Sequence, residues 1–136
     1  NNLNVKIKFI TDGDVAGAIY VVDQNSPVDI YLGIGGGPEG VLAAAALSCM
    51  GGQIQTRLIL DDEQALRATK LGVKDHKKKY NIDEIINGDV MFCATAVTDG
   101  DLMEGILNLG ASFKASTFAL HKNSNTNKLV NNTHKK

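Results

Sequence analysis

The chain has 136 residues, of which 43% are apolar and 21% charged, and its formal net charge is −1. This length is enough for one domain with its own core, and a near-zero charge gives no positive field that would argue for nucleic-acid binding. No apolar run approaches the length of a membrane span, and no signal peptide is visible. We therefore expect a cytoplasmic protein with no membrane partner. The chain opens on Asn1 rather than Met, so a preceding segment, including a targeting one, is left open.

The first third of the chain predicts two strands and two helices. Apolar residues alternate with polar ones over 3–9, which is typical of a strand with one solvated face. The turn Thr11-Asp12-Gly13-Asp14 follows, and Asp12 or Asp14 would cap a helix over 15–22. A short strand over 29–32 then leads into the glycine-rich segment 33–40.

The glycine-rich segment, Gly33-Ile34-Gly35-Gly36-Gly37-Pro38-Glu39-Gly40, is the most distinctive stretch. Proline suits the first turn of a helix, so we expect a helix from Pro38 to Met50 that Gly51 ends. A strand, a glycine loop and a helix N-terminus present free N–H groups and a positive dipole end, which suit phosphate. Glu39 in the first turn would repel phosphate unless a cation lay between them. The segment therefore predicts phosphate together with a metal.

The rest of the chain continues the alternation of strands and helices. Asp61 or Asp62 should cap a helix that ends near Gly72, and the basic run 75–79 is interpreted as a solvated loop. Cys49 and Cys93 lie in apolar segments and are expected to be buried free thiols. The other predicted elements are strands over 53–60, 90–97 and 112–120, a helical turn over 82–87, and an Asn/Lys-rich mobile tail from residue 123 with one short edge strand at Leu129-Val130.

Together these elements predict an α/β layered domain with a mixed β-sheet flanked by helices. The turns at 11–14, 33–40 and 98–101 share one form, in which a strand is followed by a Gly/Asp turn and a helix. In open α/β sheets such turns gather where ligands bind. They would place five carboxylates in one crevice, which suits Mg²⁺ or Mn²⁺ bridging to phosphate: Asp12, Asp14, Glu39, Asp99 and Asp101.

Two other interpretations stay open on the residues alone. Each Thr-Asp-Gly-Asp turn could be a structural cap, because Asp-Gly is a common turn dipeptide and Asp a frequent N-cap. A dinucleotide-binding module is the stronger rival. Gly35, Gly37 and Gly40 satisfy the G-x-G-x-x-G pattern, and Asp61 lies about twenty residues further on, where a ribose-binding acid is expected.

Three stretches together resemble the class II, bacterial-type fructose-1,6-bisphosphatases: IKFITDGDVAGAI, DIYLGIGGGPEGVLAAAALSCMGGQIQTRL and FCATAVTDGDLMEGI. The resemblance implies the fold of the lithium-sensitive, metal-dependent sugar phosphatases. It also implies hydrolysis of the 1-phosphate of fructose 1,6-bisphosphate with Mn²⁺ or Mg²⁺ in gluconeogenesis, and in some members of sedoheptulose 1,7-bisphosphate.

The resemblance also assigns site residues. It implies that Asp12 and Asp14 hold sugar hydroxyls, with Gly13 between them in the substrate site. It also implies that Gly36 lies against the substrate and that Glu39 is a metal ligand. The second Thr-Asp-Gly-Asp turn receives no role. We further expect the chain to form a homo-oligomer through an exposed apolar patch.

The chain departs from this family in three ways. Members are about twice as long, and their other metal carboxylates, catalytic threonine and Lys-x-Arg phosphate clamp lie upstream of any residue present here. We therefore interpret residues 1–122 as a C-terminal-type domain that lacks the catalytic half, followed by the tail 123–136. HKNSNTNKLV replaces the family's closing hairpin sequence, and Ala96 stands where Gly is usual. A stand-alone domain without catalysis is the remaining alternative.

Overall fold

The computed structural model describes residues 3–100 and 102–136. The chain forms both helices and strands, which confirms the predicted α/β class. The elements are α1 (Asp14–Ile19), α2 (Gly37–Met50), β1 (Gln55–Arg57), α3 (Asp62–Lys70), β2 (Lys79–Asn81), α4 (Ile82–Ile85), β3 (Met91–Thr95), β4 (Leu107–Asn108), β5 (Ser112–His121) and β6 (Thr126–Lys135).

Helix α2 is the centre of the core. Its alanine-rich middle is buried, and Leu47 is 2% exposed. Small side chains let other elements approach the helix on several sides. One side packs against Ile19 of α1, Phe92 of β3 and Leu120 of β5. The opposite side packs against α4 through Ile82.

Strand β5 organises the main sheet. It pairs with β6 along its whole length, from Ser112↔Lys135 to His121↔Thr126. It also pairs with β3 and β4, and β1 pairs with β2 in a separate two-stranded sheet. All of these described pairs are antiparallel.

Two strands predicted near the start of the chain do not form. Residues 4–10 and 26–36 have no regular secondary structure. A strand needs a neighbour for its backbone hydrogen bonds, and neither segment pairs with any described strand. Alternating apolar side chains therefore stay in water: Phe9 is 90% and Leu32 88% exposed.

The predicted tail is wrong in its extent of structure. One short edge strand was expected at Leu129-Val130, whereas β6 runs over ten residues from Thr126 to Lys135. The sequence HKNSNTNKLV, which departs from the family pattern, therefore still forms a closing hairpin, because β5 offers a long edge for pairing. The division of the chain at residue 123 remains a prediction.

Several other elements match only in part. The expected strand over 53–60 contracts to β1, and the helix after the second Thr-Asp-Gly-Asp turn is absent from its described residues, where β4 lies instead. Helix α3 forms as predicted, and the Asp61 side chain caps it. Cys49 is buried as predicted, but Cys93 is exposed, and both thiols are free.

None of the helices in the described part of the chain has both the length and the apolar character that a membrane crossing requires.

Candidate functional site

The N-terminus of α2 forms one wall of the site. Gly36 is its N-cap residue and has an extended backbone, with no side chain that satisfies the first-turn N–H groups. Pro38 and Glu39 lie in that first turn, as the sequence predicts. The exposed N–H groups and the positive end of the helix dipole together favour an anion at this point.

The first Thr-Asp-Gly-Asp turn forms the opposite wall. Gly13, rather than either aspartate, is the N-cap of α1, and no side chain caps this helix. Gly13 has a φ of 76°, a left-handed conformation that glycine adopts without strain. The prediction that Asp12 or Asp14 caps the helix is therefore wrong, and both carboxylates are free for other contacts.

Asp14 lies between Tyr31 and the glycine-rich segment. The Tyr31 hydroxyl donates a hydrogen bond to Asp14 Oδ1 over 3.1 Å. A Cβ at Gly35 would lie only 2.6 Å from Asp14 Oδ2, so the carboxylate occupies space that any other residue at that position would fill. Any other residue at this position would displace the Asp14 carboxylate.

Gly36 and Glu39 show a similar relationship. A Cβ at Gly36 would overlap the Glu39 carboxylate. Two adjacent glycines thus each make room for one acidic side chain.

An open depression of about 560 Å³ brings the two walls together. Its lining includes the first Thr-Asp-Gly-Asp turn, Ile34 and Glu39. Three carboxylates line this space, and none of its described lining residues is Lys or Arg. A phosphate would bind here only with a cation to offset that negative charge.

The described residues of the second Thr-Asp-Gly-Asp turn, 98–100, do not line this depression. Asp99 instead accepts a hydrogen bond from the Gly105 N–H through Oδ1, over 2.8 Å, and so closes its own loop. Asp101 lies outside the described residues.

A complete metal centre is absent from the described residues, among which no group of three His, Cys, Asp or Glu side chains could hold an ion. Glu39 nevertheless offers oxygen donors, the type that Mg²⁺ and Mn²⁺ prefer. It makes no hydrogen bond or ion pair with another described residue. This carboxylate fits one part of a metal site.

Asp61, the acid of the dinucleotide interpretation, has a local role. Its Oδ1 accepts a hydrogen bond from the Gln64 N–H over 2.8 Å, and the Gln64 side chain accepts one from the Asp61 N–H. This capping box stabilises α3, so one carboxylate oxygen of Asp61 already accepts a hydrogen bond within the helix.

Sequence reasoning missed two arrangements. The hydroxyl of Tyr31 was not predicted to contact Asp14, seventeen residues away. The second arrangement is centred on His121. Its Nε2 lies 2.8 Å from Asp89 Oδ2, and its Nδ1 lies 2.7 Å from Ser124 Oγ. The hydrogen bond from His121 lowers the pKa of the Asp89 carboxyl. No spacing in the sequence signals either contact, since both depend on the fold.

Comparisons with known proteins agree on one family. The model of the family described as "Bacterial fructose-1,6-bisphosphatase, glpX-encoded" matches residues 1–134. The chain is 35% identical, over 96% of its length, to a D-fructose 1,6-bisphosphatase class 2/sedoheptulose 1,7-bisphosphatase of a Synechococcus species. It is 34% identical, over 98% of its length, to a fructose-1,6-bisphosphatase class 2 of Haemophilus influenzae. The chain spans 42% and 44% of these two relatives, less than half of their length.

Proposed function

This chain belongs to the bacterial fructose-1,6-bisphosphatase family, and we propose that it is the C-terminal part of an enzyme that hydrolyses fructose 1,6-bisphosphate. In the reaction the oxygen of a water molecule forms a bond to the phosphorus of the 1-phosphate. The bond between that phosphorus and the sugar oxygen breaks, and the sugar oxygen takes up a proton. The products are fructose 6-phosphate and inorganic phosphate.

One observation carries the proposal: Asp12, Asp14 and Glu39 line the same depression, beside the N-terminus of α2. In this arrangement the two aspartates accept hydrogen bonds from sugar hydroxyls. Gly13 and Gly36, which have no side chains, let the sugar approach the backbone. The first-turn N–H groups of α2 face the phosphate that leaves.

Glu39 is the residue of this chain that would hold a divalent metal, Mn²⁺ or Mg²⁺. Such an ion, when bound, supplies an activated water and offsets negative charge on the phosphate. The Glu39 side chain is exposed and is the only carboxylate in the first turn of α2. One carboxylate does not hold Mg²⁺ or Mn²⁺ against water, so the other ligands belong to the part of the enzyme beyond this chain.

The proposal extends to the setting of the enzyme. The second substrate is sedoheptulose 1,7-bisphosphate, which the name of the Synechococcus relative includes. The pathway is gluconeogenesis, the location is the cytoplasm, and the assembly is a homo-oligomer. Residues 1–122 form the phosphatase domain, and residues 123–136 follow it.

A phosphate-release assay on the complete enzyme, expressed from the uninterrupted reading frame around this chain, tests the proposal. We expect inorganic phosphate from fructose 1,6-bisphosphate with Mn²⁺ or Mg²⁺ and none after chelation of the metal. Fructose 6-phosphate is the matched control, because it lacks the 1-phosphate. Tight binding of NAD together with turnover that ignores metal would overturn the proposal in favour of a dinucleotide-binding module.

A further inference from the structure

We propose that Tyr31 is a positioning residue for the substrate: it fixes the Asp14 carboxylate so that one oxygen remains free to accept a hydrogen bond from a sugar hydroxyl. The inference rests on the function proposed above. The family resemblance assigns no role to Tyr31, and only its contact with Asp14 in the folded chain indicates one.

The first observation is that the two carboxylate oxygens of Asp14 have different contacts. Oδ1 accepts the hydrogen bond from the Tyr31 hydroxyl, at 3.1 Å. Oδ2 lies against Gly35 and makes no hydrogen bond to another described residue. An ionised carboxylate accepts several hydrogen bonds, so Oδ2 retains its capacity for a ligand.

The second observation is how tightly the ring of Tyr31 is held. A Cβ at Gly17 of α1 would lie 3.0 Å from Tyr31 Cε2, and one at Gly33 would lie 2.7 Å from the hydroxyl oxygen. Both glycines therefore make room for this ring. The ring also packs against the buried cluster that includes Ala18 and Leu47. A packed ring loses little further freedom when its hydroxyl binds Asp14, which makes the hydrogen bond an effective orienting contact.

The third observation concerns the alternative conformations of Asp14. An aspartate at the first residue of a helix can turn its carboxylate toward the free N–H groups of its own helix. No side chain caps α1 in this structure, and the hydrogen bond from Tyr31 holds the carboxylate away from that position. Partial burial raises the pKa of the Tyr31 phenol, and the Asp14 carboxylate raises it further. The phenol therefore remains a donor at neutral pH.

The test compares Tyr31→Phe, which keeps the ring and removes the hydroxyl, with the wild-type complete enzyme. We expect the KM for fructose 1,6-bisphosphate to rise about tenfold, as for the loss of one hydrogen bond to a charged group, while kcat changes less than about twofold. Tyr80→Phe, a hydroxyl removal in β2, is the matched control and should change neither constant. A fall in kcat with an unchanged KM would overturn the proposal.

A double-mutant cycle separates positioning from a direct contact with substrate. If Tyr31 acts only through Asp14, Tyr31→Phe should have no further effect in the Asp14→Ala enzyme. Additive losses would mean that Tyr31 acts independently of Asp14, and the proposal would be wrong.

A measurement without turnover distinguishes this proposal from the proposed function. In the same enzyme labelled with fluorotyrosine, the ¹⁹F signal that Tyr31→Phe removes reports the Tyr31 phenol. Asp14→Asn should lower the pKa of that phenol, because it removes a negative charge. An enzyme that releases no phosphate would overturn the proposed function, while an unchanged phenol pKa in Asp14→Asn would overturn the role of Tyr31 itself.

Discussion

The Glu39 carboxylate lies where a Cβ at Gly36 would have to be. Gly36 itself has φ −68° and ψ 153°, a backbone conformation open to any residue. A Cβ at Gly36 would therefore meet the end of the Glu39 side chain, three residues further along the chain, and that flexible side chain would have to move. Glycine at this position lets the proposed metal ligand lie against the N-terminus of α2.

Gly36→Ala should displace the Glu39 carboxylate and lower metal-dependent turnover of the complete enzyme by about a hundredfold, the scale expected for a displacement of about 1 Å at a reacting centre. Gly40→Ala is the matched control, since nothing lies within 4 Å of a Cβ at that position and the Gly40 N–H already donates to the Gly36 carbonyl. It should retain activity and stabilise the helix by about 0.4–1 kcal/mol. Equal losses in both variants would contradict the steric argument.

Glu39→Gln should lower Mn²⁺-dependent turnover by at least about a hundredfold, because a metal contributes several kcal/mol to the transition state. The free energy of unfolding should change by less than about 1 kcal/mol, the usual size of a helix-dipole interaction. Glu63→Gln, in the first turn of α3, removes the same kind of interaction and should leave turnover unchanged. Full activity in Glu39→Gln would remove this residue from the metal site.

Asp14→Ala should raise the KM for fructose 1,6-bisphosphate about tenfold, as expected for the loss of a charged hydrogen-bond acceptor. Stability should fall little, since Asp14 does not cap α1. Asp61→Ala is the opposite case: it removes a true cap from α3 and should cost about 0.5–2 kcal/mol of unfolding free energy without changing KM. Substrate kinetics and chemical unfolding on both variants check this contrast. A large loss of stability in Asp14→Ala with an unchanged KM would return that residue to a structural role.

The 136-residue chain alone should release no measurable phosphate from fructose 1,6-bisphosphate with Mn²⁺. Its described residues contain no complete metal site. It should also self-associate in sedimentation experiments, because apolar side chains such as Phe9, Leu32 and Ile34 are more than 80% exposed. Turnover of about one per second or more would place the catalytic residues within this chain.

The Asp89 and His121 pair should contribute to stability in a pH-dependent way. The hydrogen bond from His121 holds the pKa of the folded-state carboxyl below the ordinary value of 3.8. As the pH falls, the Asp89 carboxyl of the unfolded protein therefore takes up a proton before that of the folded protein. The stabilisation by this pair is present above about pH 4 and is lost as the pH falls through the folded-state pKa. The free energy of unfolding, measured with urea between neutral and acid pH, should therefore fall less at acid pH in Asp89→Asn than in the wild-type protein. An identical dependence in both proteins would show that the pair contributes nothing.

The local sequence determined the features that depend on neighbouring residues. Pro38 after a run of glycines sets the start of α2, and the Asp61/Gln64 spacing sets the capping box of α3. The turn motifs also grouped five carboxylates in one crevice, and the structure places three of them, Asp12, Asp14 and Glu39, around one depression. Asp99 instead accepts a hydrogen bond within its own loop, and Asp101 lies outside the described residues.

Tertiary structure alone decided which segments found partners. The alternating pattern over 3–9 predicts a strand, but a strand forms only where another edge accepts its hydrogen bonds, and these residues join no sheet. The polar sequence of β6 predicts little structure, yet ten residues pair because β5 offers them an edge. Likewise Tyr31 reaches Asp14 only after α1 and the glycine-rich segment have packed together, since seventeen residues separate the two in the chain. A contact between distant residues forms only when the chain between them folds back and brings its ends together. No local sequence pattern determines whether this happens.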